Sequence, residues 1–298
     1  MDYLLCTRKT TTIPTRKDSD SKDMIDTINH DTIGLIAGGG DFPIMCAEAA
    51  RRHGKAVIAV AHKGETSPDL NSEVDHLEWI YLGQLGRLIK TFKKYQVKQV
   101  IFAGTIKKKR IFSDIRPDLR ALSLWKKLRT RLDDGILRAL ADELESEGIH
   151  VISSVTFLTE LLVPEGLLSK KKPSKQEWED IKFGWGLAKK IGQLDIGQCI
   201  VVKHKTVLAV EAIEGTDETI TRGGKLGGPG GVIIKVCKPT QDTRFDLPAT
   251  GPDTIKTMAS VSASVLAVEA NKALLFKKEE TIKLANKLGI SIVGIKEA

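Results

Sequence analysis

Charged side chains alternate within residues 238–254, a segment that also holds three prolines and one glycine. Asp242, Arg244 and Asp246 stand two residues apart, so an extended backbone would put their side chains on one face. Carboxylates held close together repel each other and need a cation beside them. A metal ion could supply that charge, and so could the neighbouring Arg244 and Lys238. The spacing therefore indicates either a metal-assisted active site or an ion-pair network that stiffens a turn.

A second group of acids comes earlier, where a predicted strand runs into a glycine-rich stretch that predicts a mobile or closely approached loop. Hard cations such as Mg²⁺ take oxygen ligands from one or two carboxylates together with substrate phosphates. Lysine and arginine nearby can neutralise charge that develops on a phosphoryl group. We therefore predict a Mg²⁺ or Mn²⁺ site with ligands drawn from Asp242, Asp246, Glu211, Glu214 and Asp217. We predict catalytic roles for Asp242, Asp246, Arg244 and Lys238.

Three consecutive glycines, Gly38, Gly39 and Gly40, follow a short apolar run that predicts a buried strand. Glycine lets the backbone approach an anion, and the helix predicted to follow would offer free N–H groups. Asp41 is placed to cap that helix, although its charge would repel a phosphate. The motif is neither G-x-G-x-x-G nor a Walker A loop. We expect either a substrate contact through backbone N–H groups or a tight strand-to-helix turn.

The elements that would position these residues form two domains. In residues 31–165, apolar runs alternate with amphipathic stretches, which predicts a Rossmann-like α/β domain with a parallel sheet covered by helices. Residues 166–178 are charged and interrupted by proline, and they predict a linker. Residues 179–298 predict an α+β domain with more antiparallel pairing, including hairpins that turn near His204 and Asn271.

Composition limits the possible function classes. The chain has 298 residues, of which 41% are hydrophobic and 28% charged, and no apolar run approaches the roughly 20 residues of a membrane span. Residues 1–30 carry no periodic pattern and predict a disordered tail. The net charge of +8 has local concentrations at 107–110, 126–131 and 170–172, which predict either an anionic partner or a solvated face. Few aromatic residues and no base-reading motif argue against nucleic acid. Four widely separated cysteines fit a reducing cytoplasm.

Four stretches, taken together, resemble a known family. They are IGLIAGGGDFPI, DIGQCIVV, VLAVEAIEGTDETITR and KPTQDTRFDLPATGPDTI. In this order and spacing they resemble the LpxI-type UDP-2,3-diacylglucosamine pyrophosphatases of lipid A biosynthesis. The resemblance extends over residues 33–295 and so covers both predicted domains.

The resemblance implies a two-domain enzyme with a Rossmann-like N-terminal domain and a substrate site between the domains. The implied reaction is divalent-metal-dependent hydrolysis of UDP-2,3-diacylglucosamine to UMP and 2,3-diacylglucosamine 1-phosphate. It implies a catalytic aspartate at Asp242 or Asp246, a choice that the sequence leaves open. From the matching motifs we assign substrate binding to Gly38, Gly39, Gly40, Asp41, Gln198, Thr216, Arg222 and Gln241.

The resemblance also implies a cytoplasmic protein that is peripheral to the inner membrane, whose anionic surface would attract the basic clusters. A homodimer is left open. Two other classes also stay open from the residues alone: a nucleotide-dependent oxidoreductase or transferase, and a non-enzymatic protein that binds anions or membranes. An assay for UMP release, with and without EDTA, separates the three.

Overall fold

The computed structural model of the chain describes residues 32–106, 115–127, 133–239, 242–244 and 247–296. The predicted tail, residues 1–30, lies outside these ranges. The described residues form a mixed α/β fold with one all-parallel sheet and one larger mixed sheet, which confirms the predicted fold class. Within these ranges no helix has the length and apolar character that a membrane crossing needs.

The first sheet belongs to the N-terminal half. Its strands are Thr32–Ala37 (β1), Ala56–His62 (β2), His76–Ile80 (β3), Gln99–Ala103 (β4) and His150–Val151 (β5). They lie in the order β3-β2-β1-β4-β5, and every neighbouring pair is parallel. The accompanying helices are Phe42–Arg52 (α1), Leu85–Lys94 (α2), Leu119–Lys127 (α3) and Asp133–Ser146 (α4). Core clusters lie on both faces, which explains why β1 and β2 are apolar at nearly every position.

The C-terminal half supplies the remaining elements. Its strands are Gly166–Leu167 (β6), Cys199–Lys203 (β7), Thr206–Val210 (β8), Val232–Lys235 (β9), Ala249–Thr250 (β10), Val265–Glu269 (β11), Leu274–Leu275 (β12) and Ser291–Ile295 (β13). The mixed sheet has the order β6-β13-β11-β9-β7-β8, and β10 pairs with β12 separately. The helices are Lys175–Gln193 (α5), Thr216–Gly227 (α6), Pro252–Ser260 (α7) and Lys278–Leu288 (α8).

The hairpin predicted near His204 is confirmed. Strands β7 and β8 pair antiparallel, and the two residues between them, His204 and Lys205, have φ angles of 48° and 55°. A two-residue hairpin turn with both φ values positive matches the right-handed twist of the strands. Asp180 on α5 accepts the N–H groups of both turn residues, at 3.0 and 2.7 Å. The turn is therefore anchored to the helix that covers the sheet.

The glycine-rich stretch after Arg222, predicted as a mobile or closely approached loop, divides in the structure: Gly223, Gly224 and Gly227 lie inside helix α6, and Gly228, Gly230 and Gly231 follow the end of the helix. A Cβ atom on Gly223 would come within 2.6 Å of the Cβ of Val201 in β7, and one on Gly224 within 2.4 Å of the Cβ of Val261. Both distances are shorter than side-chain carbon atoms tolerate. The glycines thus allow the helix to pack closely, and they do not mark flexibility.

The hairpin predicted at Asn271 is also wrong. Asn271 does turn the chain, with φ of 60°. However, β11 is buried and already lies between β9 and β13, both parallel to it, so no edge is left for the next strand. The following strand, β12, pairs with β10 instead.

The stretch predicted as a linker, residues 166–178, is built into the C-terminal half. Strand β6 pairs with β13, and α5 begins at Lys175 behind a capping box formed by Ser174 and Glu177. Ser174 and Glu177 in this stretch therefore mark the start of a helix.

The two halves share an apolar core. Leu274 of β12 is buried in the same cluster as Ile33 and Leu35 of β1. The rings of Phe42 and Phe276 meet edge to face with centroids 5.4 Å apart. The small sheet of β10 and β12 thus holds the C-terminal half against the carboxyl-end edge of the first sheet.

Candidate functional site

A cavity of about 550 Å³ lies where the two halves meet. This volume is typical of small-molecule sites, which span roughly 300–1,000 Å³. The walls come from residues 39–42, 45, 102, 104–105 and 154 of the N-terminal half, and from residues 247, 249–254, 256, 274, 276–277 and 280 of the C-terminal half. The cavity lies at the carboxyl ends of β1 and β4, the edge at which open α/β sheets commonly bind ligands.

Gly39 and Gly40 of the triple glycine line this cavity, but the N–H groups of Gly38 and Gly39 already have partners. Gly38 donates to the carbonyl of Ala103 at 2.8 Å, and Gly39 donates to the carbonyl of Thr105 at 2.7 Å. A Cβ atom on Gly38 would lie 2.7 Å from the oxygen of Thr105, so only glycine allows this close approach. Of the three, Gly40 keeps an N–H group that donates to no partner in the described part of the chain. The predicted backbone contact with substrate is therefore limited to Gly40 and the helix start beyond it.

Two helix starts border the cavity. Asp41 stands at the N-cap of α1, yet its side chain makes no capping hydrogen bond, so the predicted cap is wrong. Gly251 occupies the N-cap of α7, again without a side-chain cap. The first N–H groups of both helices have no partner within the helix, and helix N-termini attract anions. The cavity thus combines two helix starts and charged side chains of both signs with apolar walls. The charged side chains are Asp41, Asp253, Lys256, Lys277 and Glu280, and the apolar ones are Phe42, Met45, Phe102, Leu247, Leu274 and Phe276.

The predicted catalytic segment lies beside this cavity. The Asp242 carboxylate accepts from the Nη2 of Arg244 at 2.7 Å and from its Nε at 3.0 Å. Arg244 also donates to Glu145 on α4 at 2.7 Å, and its carbonyl accepts the N–H of Ser154, a cavity residue, at 2.9 Å. The segment of the C-terminal half that carries Asp242 is therefore docked onto the N-terminal half.

The Asp242 side chain is ionised through this pairing. The hydrogen bond from the Arg244 guanidinium lowers the pKa of Asp242 below its ordinary range. Partial burial acts in the opposite direction but has the smaller effect. Asp242 also accepts the backbone N–H of Arg244 at 3.1 Å, which closes a turn. Residues 242–244 therefore form a turn and not the extended backbone that would place alternate side chains on one face. The two charges hold each other, as the ion-pair alternative predicted. Asp246 and Gln241 lie outside the described residues.

The other predicted acids form a separate cluster at the start of α6. Glu211 is buried and accepts the hydroxyl of Thr216 at 2.8 Å and the N–H of Gln198 at 3.2 Å. Glu214 binds Arg222, and hydrogen bonds from its own backbone N–H and from Arg222 lower its pKa. Asp217 lies in the first turn of α6. The structure thus brings together Glu211, Thr216 and Gln198, and separately Glu214 and Arg222.

Glu269 and Lys189 form a buried pair that the sequence did not reveal. Lys189 donates to both Glu269 oxygens, at 2.8 and 2.7 Å, and the N–H of Cys237 donates to the same carboxylate at 2.9 Å. Burial would raise the pKa of Glu269, but the hydrogen bonds from Lys189, Lys272 and Cys237 outweigh it, so the pKa is lowered. This pair fixes the chain just before residue 238. The apolar pattern VLAVE predicts a buried strand that ends in one acid, but it does not predict the pairing of that acid with Lys189.

Two lysines continue this arrangement. Lys235, buried at the end of β9, donates to the carbonyl of Ala249 in the cavity wall at 2.7 Å. Lys238, predicted to be catalytic, binds Asp195 at 2.7 Å. Both lysines act within the described residues as anchors for the segment between β9 and β10.

The described acids do not fit a metal site. Within the described ranges, no group of three or more His, Cys, Asp or Glu side chains converges as metal ligands would. Both oxygens of Asp242 face Arg244, and Glu211 and Glu214 have the local partners given above. The Mg²⁺ or Mn²⁺ site therefore stays a prediction, and no chemical step is routed through it.

The fold and the site define an α/β protein with a ligand cavity between a parallel and a mixed sheet. The family models named LpxI N-terminal domain and LpxI C-terminal domain match residues 32–161 and 164–293. The chain belongs to the LpxI family, which confirms the resemblance.

A curated relative supports the same assignment. The UDP-2,3-diacylglucosamine pyrophosphatase LpxI of Caulobacter vibrioides is 33% identical over 274 residues, which cover 88% of this chain and 97% of the relative. Two solved structures resemble the chain only weakly. The biotin carboxylase subunit of pyruvate carboxylase is 14% identical, with coverages of 60% and 35% and a TM-score of 0.24. The leucoanthocyanidin reductase–NADPH complex of Vitis vinifera is 12% identical, with coverages of 89% and 78% and a TM-score of 0.29. Neither carries an argument about function.

Proposed function

We propose that the protein hydrolyses the pyrophosphate bond of UDP-2,3-diacylglucosamine, giving UMP and 2,3-diacylglucosamine 1-phosphate for lipid A biosynthesis. The observation that carries this proposal is the 33% identity across 97% of the Caulobacter enzyme, joined to matches with both family domains. The proposal needs matches to both family domains, because residues from both halves of the chain line the cavity.

The cavity supports this substrate class on chemical grounds. Its apolar side chains would accept acyl groups, which need a surface removed from water. The starts of α1 and α7 would face the diphosphate with unpaired N–H groups. In the reaction, a water oxygen bonds to one phosphorus and the bond from that phosphorus to the bridging oxygen breaks. Two phosphate monoesters and a proton result.

The turn at residues 242–244, which packs on the N-terminal half, would contact the diphosphate from one side. Arg244 can neutralise negative charge that develops on a phosphoryl oxygen, and Lys238 can assist from the same segment. Asp242 is a carboxylate at neutral pH, as an ordinary aspartate is, and Arg244 lowers its pKa further. It can therefore orient the Arg244 fork or accept a hydrogen bond from the attacking water.

The assay measures UMP release from UDP-2,3-diacylglucosamine in detergent micelles, for the unaltered chain and for Asp242→Asn and Asp246→Asn. We expect at least one of the two variants to lose about 10²-fold or more in kcat. Asp142→Asn removes an exposed carboxylate from α4, the helix that carries Glu145, and should keep normal turnover. If both variants keep nearly normal hydrolysis, neither aspartate is catalytic. A parallel arm with EDTA tests the predicted Mg²⁺ or Mn²⁺ requirement.

We further propose that the protein is cytoplasmic and associates peripherally with the inner membrane. Its proposed substrate carries two acyl chains and resides in a bilayer. Substrate and enzyme therefore meet at a membrane surface, and some part of the protein must contact that surface.

A further inference from the structure

We propose that one face of helix α3 is the surface by which this chain docks on an anionic bilayer, an inference that rests on the proposed function. Three large apolar side chains lie on this face. Leu119 is 87% exposed, Leu122 is 44% exposed and Trp125 is 39% exposed. Residues three apart lie on the same side of a helix, so the three form one stripe. Ile115, just before the helix, extends it.

The stripe faces outward because the other side of α3 is held in place. Ala121 and Leu124 pack against the core cluster between α2, α4 and the first sheet. Asp118 accepts the N–H of Ala121 at 2.9 Å and that of Gly86, at the start of α2, at 2.7 Å. The helix is therefore seated on its neighbours, and its outward apolar face is a fixed feature of the surface.

The positive charge near this helix indicates which partner binds its apolar face. In the sequence, residues 107–132 contain ten lysines and arginines and two aspartates, an excess of eight, and Arg120 among them is ion-paired with Glu143 and Glu147 on α4. The whole chain has a net charge of +8, so all other residues together are neutral. Arg116 and Lys126, both exposed, border the apolar stripe directly. Apolar side chains beside concentrated positive charge match the interface of an anionic membrane.

The same charge argues against other partners. A second copy of this chain would bring its own Arg116 and Lys126 to the contact, and like charges at an interface repel. Nucleic acid would attract the cations but would leave two exposed leucines and a tryptophan without an apolar environment. An anionic bilayer satisfies both features at once.

The position of α3 connects this surface to the cavity. Parallel strands end at a common edge of the sheet. The cavity lies beyond the carboxyl end of β4, and Arg116, just before α3, donates its N–H at 2.8 Å to the carbonyl of Leu82, just beyond the carboxyl end of β3. Thr105 lines the cavity, and Ile115 begins the docking surface ten residues later in the chain. A docked protein would thus hold the side of the molecule that bears the cavity towards the lipid.

The test is co-sedimentation of the full chain with vesicles of phosphatidylglycerol and phosphatidylethanolamine, compared with pure phosphatidylcholine. Leu119→Ser/Leu122→Ser should weaken binding to the anionic vesicles about tenfold or more. Leu226→Ser/Leu288→Ser changes two exposed leucines on α6 and α8 and should bind like the unaltered chain. Binding should also fall when NaCl is raised from about 0.1 M to about 0.5 M, because salt screens the cations.

A micelle assay of UMP release separates this proposal from the proposed function. Leu119→Ser/Leu122→Ser should hydrolyse micellar substrate normally and substrate in anionic vesicles more slowly. If the unaltered chain does not bind anionic vesicles, or the double variant binds them equally well, the docking surface is refuted while hydrolysis stands. If binding behaves as expected but no substrate is hydrolysed, the proposed function fails instead. Leu119→Ser alone, at a site too exposed to affect folding, repeats the test should the double variant misfold. If Leu119→Ser/Leu122→Ser dissociates a dimer of the chain and leaves vesicle binding unchanged, this face is a dimer interface and the proposal is overturned.

Discussion

Replacing Glu269 with glutamine would keep the shape of the side chain and remove its charge. The change tests whether the buried Glu269–Lys189 pair fixes the segment that leads to Asp242. Glu269 is 1% exposed and Lys189 is 13% exposed, so the lysine would be left with little water to solvate it.

The structure sets the expected size of the effect. Removing one partner of a buried ion pair typically costs about 3–5 kcal/mol, since an unpaired charge stays behind. Here the amide oxygen of glutamine can still accept one hydrogen bond, and Lys272 is half-exposed and keeps water contact. We therefore expect the lower end, a loss of about 3 kcal/mol in the free energy of unfolding.

Urea unfolding, followed by circular dichroism and tryptophan fluorescence together, measures this loss. With a denaturant slope of about 3 kcal/mol per molar, the midpoint should fall by roughly 1 M. Glu179→Gln breaks the exposed pair with Lys205 and should leave the midpoint unchanged. A second variant, Glu269→Leu/Lys189→Met, removes both charges and should recover much of the loss. A midpoint shift for Glu269→Gln as small as that for Glu179→Gln would refute the reasoning.

The same pair predicts a pH dependence. The folded-state pKa of Glu269 lies below its ordinary value of 4.5. Its contribution to stability is therefore fully present above about pH 4.5 and is lost as the pH falls through the lower, folded-state pKa. The difference in unfolding midpoint between the unaltered chain and Glu269→Gln should be constant from pH 6 to pH 8 and should shrink below about pH 4.5. A difference that grows on acidification would contradict this account.

Two further predictions concern the N-terminal half and the cysteines. Gly38→Ala should lower the thermal midpoint and slow hydrolysis, because its Cβ would meet main-chain atoms of Thr105 at 2.7 and 2.9 Å. Gly40→Ala, with φ of 83° and no atom within 4 Å, should cost only the left-handed backbone strain of about 1–2 kcal/mol. Burial raises the pKa of Cys46 and Cys199 to about 12, so iodoacetamide at pH 8 should label neither thiol until urea is added, as peptide mass spectrometry would show. Labelling of either thiol in the native protein would contradict the burial.

Much of the fold could be predicted from local patterns. The apolar runs that form β1, β2 and β4 are distinct because parallel strands are buried on both faces. Strand β3 escaped prediction, since His76 and Glu78 interrupt its apolar pattern at the sheet edge. Helix α6 escaped because its glycines serve close packing against Val201, a contact that no local rule anticipates.

The site was harder to predict than the fold. The triple glycine follows the carboxyl end of β1, a common position for ligands, and Gly39 and Gly40 line the cavity; substrate binding by these residues stays a prediction. The sequence offered both a metal and an ion pair as partners of the acids, and it could not decide between them. Whether Asp242 meets a metal, Glu211 or Arg244 depends on contacts between distant segments, and the sequence contains each of these candidates.

The small sheet of β10 and β12 has a consequence for the autonomy of the two halves. Leu274, carried by the C-terminal half, fills a place among Ile33 and Leu35 that the N-terminal half cannot fill for itself. If the chain were cut near residue 165 and the two fragments were produced separately, the N-terminal fragment would have a gap in its apolar core. The C-terminal fragment would expose Leu274 to water. The pieces should therefore recover full solubility only when mixed, as complementing fragments do.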